Sequence, residues 1–159
     1  MKHSGFVLME IVVIVGMMAL FVGLLSINLL GSQRRASLVG VVDTLVSDIQ
    51  SQQTKAMTGF TTGGSVPAGY GVHFETSRYV LFSGSSYSVS DPTNSSIPLQ
   101  SPVTLSSIGF AGGTLLFASK SGEVSGYVSG QDFVSVFHAD SNQTTTIHIN
   151  RYGVITSVN

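Results

Sequence analysis

At 159 residues the chain has room for one modest domain and an attached segment. Charged residues make up only 9%, against roughly 25% in typical soluble domains, and a formal net charge of −1 offers no bulk attraction to nucleic acid or to an acidic surface. Cysteine is absent, which excludes disulfides, thiolate metal sites and a cysteine nucleophile.

The first predicted element is an apolar helix. Residues 6–30 form a run of 25 in which Glu10 is the only charged side chain. About 20 apolar residues cross a bilayer, so the run is long enough to be expected to do so with some tilt. A secretory signal peptide has a shorter apolar region, of roughly 7–15 residues, and a small-x-small cleavage site. Here the run is followed by Gly31-Ser32-Gln33-Arg34-Arg35. A plain signal anchor fits the length but leaves Glu10 without a task, although a carboxylate at mid-bilayer depth costs roughly 2.5–3.5 kcal/mol.

Upstream of the run lies a short hydrophilic leader with Lys2, and then Gly5-Phe6-Val7-Leu8-Met9-Glu10. This resembles the processing signal of type IV pilins and type II secretion pseudopilins. The resemblance implies that a prepilin peptidase cuts after Gly5, that the new N-terminal Phe6 is methylated, and that Glu10 pairs with the Phe6 amine of a neighbouring subunit. Such a pair neutralises two charges in an apolar setting and acts as a register device more than as a source of stability. Arg34 and Arg35 follow the run, so a count of positive residues does little to orient it. Long C-terminal domains translocate largely regardless of charge, and the expected orientation is N-terminus in, C-terminus out.

The helical pattern continues past residue 30. Leu38, Val41, Val42, Leu45, Ile49, Gln52 and Ala56 recur at spacings of three and four, with Asp43, Asp48, Gln50 and Gln53 on other faces. No proline precedes Pro67, and Gly59 with the Thr61-Thr62-Gly63-Gly64 cluster supplies a stop. One helix is therefore predicted over residues 6–57, about 75 Å long at 1.5 Å per residue.

After Gly69 the period changes to two. Residues 70–74 and 79–82 read as a hairpin around Glu75-Thr76-Ser77. Short strands are predicted over 103–110, 114–118, 122–128 and 132–137, and a last pair over 144–150 and 153–158, with 91–96 as a loop. The fold class predicted is α+β. A long N-terminal helix, half transmembrane and half amphipathic, packs on an antiparallel β-sheet domain in a pilin-like arrangement. The order of the C-terminal strands is similar to that of the H-type minor pseudopilins. The expected organisation is a cleaved leader over 1–5, a transmembrane helix over 6–30, its amphipathic continuation over 31–58 and a β-rich head over 59–159.

Candidate chemistry is sparse. His3 falls in the leader, and His73, His138 and His148 lie on separate strands with no ligand spacing, so all three read as neutral surface histidines. There is no Gly-x-Ser-x-Gly elbow, and Gly63-Gly64 and Gly112-Gly113 lack a following Lys-Ser/Thr. Asp132, Asp140 and Asn142 could offer oxygens to calcium, but the acidic density is thin. Arg151, Lys120 and Arg78 are scattered in sequence. Losing Lys2 with the leader would leave 7 − 1 = 6 basic residues against 8 acidic ones, too few for phosphate-backbone binding.

No catalytic residue, metal or cofactor is therefore expected, and the chain reads as non-enzymatic. The leading expectation is a structural subunit of a type IV pilus-like filament or a type II secretion pseudopilus, held in the inner membrane before assembly. Its expected partners are other subunits, prepilin peptidase, an inner-membrane assembly platform and membrane lipid. The alternative is a single-span, membrane-anchored β domain that binds a ligand and joins no filament.

Overall fold

The computed structural model describes residues 4–61 and 64–159, and within the first helix the side chains of 8–23 and of 37 onward. The chain divides into two compact units, Met1–Ser37 and Leu38–Asn159.

Helix α1 runs over Ser4–Thr58, 55 residues, uninterrupted because no proline lies within it to remove a ladder hydrogen bond. Its end is set by Gly59, whose φ of 64° is the left-handed conformation glycine adopts without strain. The Gly59 N–H donates to the Ala56 carbonyl and the Phe60 N–H to that of Lys55, the paired closure that satisfies the last turn's free carbonyls.

In the unit Leu38–Asn159, α1 shares one core with eight strands. These are β1 (Gly69–Glu75), β2 (Arg78–Ser83), β3 (Ser95–Pro98), β4 (Val103–Ile108), β5 (Thr114–Ala118), β6 (Phe133–His138), β7 (Gln143–Ile149) and β8 (Ile155–Val158). They form two antiparallel four-stranded sheets, ordered β3-β2-β1-β5 and β4-β6-β7-β8. In the first sheet Val72 lies opposite Leu81 and Leu115, and Phe74 opposite Tyr79. In the second, Val134 lies opposite Ile147 and Ile108, and Val136 opposite Leu105. These inner residues join Leu38, Val42, Leu45, Ile49 and Ala56 of α1 in a single buried cluster. Burying each such side chain contributes roughly 1.5–3 kcal/mol.

The fold class expected from the sequence is corrected. Two antiparallel sheets stand where one was expected on the helix. Among the described residues no helix is long and apolar enough to cross a membrane. The transmembrane half, the pilin-like arrangement drawn around it, and a single pass through the inner membrane with the head outside the cytoplasm are corrected with it.

Three local expectations change as well. Residues 122–128 form no strand, only an isolated bridge between Phe117 and Val124. Gly122 and Gly126 have φ of 69° and 67°, which breaks an extended backbone. The expected loop over 91–96 gives way at Ser95 to β3, which pairs with β2. His138 is 1% exposed rather than superficial. It continues the inward alternation of Val134 and Val136, lies opposite Val103, and its Nδ1 accepts the Ser141 N–H at 3.3 Å.

Candidate functional site

The feature that demands a partner lies in the unit Met1–Ser37. Twelve large apolar side chains between Leu8 and Val22 are exposed, from 52% at Val13 and Ile14 to 71% at Met9. They occupy every face of the helix. A helix apolar all round is stable in water only when something else covers it, and an uncovered patch of this extent marks an interaction site. Glu10 is exposed among these residues, near their N-terminal end, and is the only charged side chain of residues 6–30. On a helix Glu10 and residue 6 are i, i+4 neighbours on one face. Gly5 and Phe6 fall within α1, but the Phe6 side chain and the cleavage and methylation expected there lie outside the described residues.

The polar groups of the other unit do structural work. Tyr79, 1% exposed, donates its hydroxyl to Asp48 Oδ2 at 2.6 Å and ties the helix to the first sheet. Burial first, and then that carboxylate, raise the Tyr79 pKa well above the usual phenol value. Gln53 Nε2 donates to the carbonyls of Gly122 at 3.1 Å and Tyr152 at 2.8 Å. It thereby joins the helix to the β5–β6 connection and to the β7–β8 turn. Both contacts need glycine: φ is 69° at Gly122 and 77° at Gly153, where a Cβ would strike Met57 and the Gln53 amide respectively.

The residues weighed for other chemistry are dispersed. His73 stacks on Tyr87, centroids 4.0 Å apart, and its Nδ1 sits 2.9 Å from Thr114 Oγ1. Burial lowers its pKa. His148 Nδ1 is 3.7 Å from Asp132 Oδ1, and Asp132 Oδ2 accepts the Tyr127 hydroxyl at 3.0 Å. Among the described residues no three His, Cys, Asp or Glu side chains group as metal ligands. Arg78 is engaged with Glu75 at 2.8 Å, lowering the pKa of that carboxylate, and Arg151 lies over the Tyr152 ring at 5.2 Å.

Reading by sequence missed the two glutamines. Gln52 was legible only as a polar interruption in a stripe of aliphatic residues, and Gln53 only as one of the polar residues on the other faces. Comparisons of this chain with protein-family models, with curated proteins and with solved structures found no match, so its own residues and geometry carry the functional reading.

Proposed function

We propose that this chain is a structural subunit of a helical filament, matured by cleavage after Gly5 and methylation of Phe6, and assembled through residues 8–22. The single observation that carries the reading is the exposed, fully apolar helix segment interrupted only by Glu10. The Gly5-Phe6 junction with a glutamate four residues on, similar to the pilin and pseudopilin processing signal, supports it. Packing such segments side by side removes the apolar surface from water at roughly 25 cal/mol per Å². In that dry interior the Phe6 amine of one copy and the Glu10 carboxylate of the next neutralise each other. The partners are other subunits of this type and a prepilin peptidase; the activity is structural rather than enzymatic.

The test combines mass and incorporation. Intact-mass measurement of the mature chain reads loss of residues 1–5 and one added methyl together, and Gly5→Val abolishes both. Glu10→Gln is processed normally but enters sheared filaments poorly, because removing one member of a buried pair costs roughly 3–5 kcal/mol. Wild-type incorporation of Glu10→Gln refutes the pairing, and an unprocessed chain refutes the subunit assignment.

A further inference from the structure

The first sheet has apolar residues on both faces. Val72, Phe74, Tyr79 and Leu115 belong to the main core, whereas Gly71, His73, Val80 and Phe82 alternate onto the opposite face. Val80 and Phe82 are each 3% exposed, yet neither is part of the core cluster. Gly71 lets the Phe82 ring lie against β1, where a Cβ would strike it. The segment 84–94, between β2 and β3, reaches this outer face through Tyr87. The Tyr87 ring stacks on His73 with centroids 4.0 Å apart and meets Phe82 edge-on at 5.6 Å.

The segment is braced within itself. Asp91 Oδ1 accepts the Thr93 N–H at 2.8 Å and the Thr93 hydroxyl at 2.7 Å, and Asn94 Nδ2 donates to the Ser88 carbonyl at 2.7 Å. The Asp91 and Asn94 N–H groups donate to the carbonyls of Ser88 and Asp91. Its ends are close, since Leu81 pairs with Ser95. Compact loops with close ends and internal packing are frequently functional, and this one is built to lift as a piece.

We propose that residues 84–94 form an acid-released strap, closed on the outer face of the first sheet while His73 is neutral and lifted when His73 takes a proton at Nε2. Hydrogen bonding fixes that atom. The Thr114 hydroxyl donates to the Gly112 carbonyl at 3.2 Å, so in its 2.9 Å contact with His73 it accepts from Nδ1–H. Nε2 therefore carries the lone pair. Burial lowers the His73 pKa; the Glu75 carboxylate opposes this and the Arg78 guanidinium adds to it. Those two side chains are paired with each other at 2.8 Å. From β5 the neutral Thr114 hydroxyl faces the ring, and from the strap the Tyr87 phenol.

Tyr87 supplies part of the burial, so lifting returns the imidazole towards its ordinary 6.5. The lifted form holds the proton more tightly than the closed one. Closure is fully favoured above 6.5 and is lost as pH falls through the lower, closed-state value. The device stands apart from filament assembly, since it uses only the unit Leu38–Asn159.

The test follows the full chain in a polyoxyethylene detergent by proton NMR, from about pH 7.5 to about pH 5, the window in which imidazoles titrate. Through-space cross-peaks from the Tyr87 ring to His73 and to Phe82 are expected at the upper end. Both are lost together, at the midpoint read from the His73 Cε1 proton. His73→Gln, neutral throughout, keeps the Tyr87–Phe82 cross-peak in acid. Tyr87→Ala removes the cover and moves the His73 midpoint up towards 6.5. Persistence of both cross-peaks in acid overturns the proposal, because the Tyr87 ring would then be holding the imidazolium. Equal acid loss in His73→Gln overturns it by assigning the release to another group. If His73→Gln lifts the strap even at neutral pH, the Tyr87→Ala titration decides alone, and an unmoved His73 midpoint overturns the proposal.

Discussion

Residues 8–22 and residues 38–56 belong to one helix and draw on the same aliphatic residue types, yet they meet water differently. In the first stretch Ile14 is 52% exposed; in the second, Leu45 and Ile49 are wholly buried. The difference is one of pattern. Where apolar residues occupy all faces, no single surface can cover them, and burial has to come from several neighbours at once. Where they are confined to one stripe, two sheets suffice. Apolar character by itself therefore says little about where a helix belongs; how it is distributed round the axis says much more.

Paired truncations test that contrast most strongly. Leu45→Ala should lower the unfolding free energy of the head by about 2–5 kcal/mol, the range for a buried leucine whose cavity does not collapse. Ile14→Ala should change it by less than about 0.5 kcal/mol, as surface substitutions do, while reducing filament incorporation. Denaturant unfolding followed by circular dichroism gives both values. Similar losses in the two variants would erase the distinction between the stretches.

The polar side of the amphipathic stretch gives a smaller effect. Gly153→Ala forces a side chain into a left-handed backbone conformation and displaces the Gln53 amide from two carbonyls. A loss of about 2–3 kcal/mol is expected from the strain and the broken hydrogen bonds together. Gly130→Ala is the control. It shares a positive φ, 83°, but meets open space, so it should lose only the strain contribution. Equal melting temperatures for the two variants would show that the Gln53 latch contributes nothing.

Tyr79→Phe should have the smallest effect, about 1–2 kcal/mol at neutral pH for one hydrogen bond to a carboxylate. Its signature is in the pH dependence. The folded-state pKa of Tyr79 is raised above the unfolded value of 10.0, so the folded protein holds this proton more tightly than the unfolded chain does. The stabilisation is complete below that unfolded value and is lost as pH rises beyond it. Wild-type stability should therefore fall more steeply above pH 10 than that of Tyr79→Phe. Parallel alkaline curves would place the hydroxyl outside the interface between helix and sheet.

Several features were readable from local sequence because the forces that set them are local. The helix stop at Gly59 needs only one residue able to adopt positive φ. The hairpin of β1 and β2 was readable around Glu75-Thr76-Ser77 because residues alternate on both sides, and the structure narrows the turn to Thr76-Ser77 by pairing Glu75 with Arg78. The stripe of Leu38, Val42, Leu45 and Ile49 follows from helical spacing. Errors arose where a distant partner decides. Ser95 and Ser96 look like loop, yet β2 offers them an unpaired edge. Residues 122–128 alternate like a strand, but the turn that lets Gln53 reach Gly122 requires a left-handed glycine. His138 looked superficial because it alternates with the large apolar Phe137, although its parity with Val134 and Val136 along β6 points it inward. Gln52 carried no local signal beyond its misplaced polarity.

The sequence by itself determined which residues avoid water, where the helix ends, and that one carboxylate sits in an apolar run, because periodicity, backbone freedom and charge are properties of neighbouring residues. Only the tertiary structure decided that the strands divide into two sheets, that His138 is buried, and that Gln53 reaches the carbonyls of Gly122 and Tyr152. Each of these depends on contacts between residues far apart in the chain, such as Val103 with His138 or Gln53 with Tyr152. Local preference is silent about such contacts, because each forms only when the whole core closes around it.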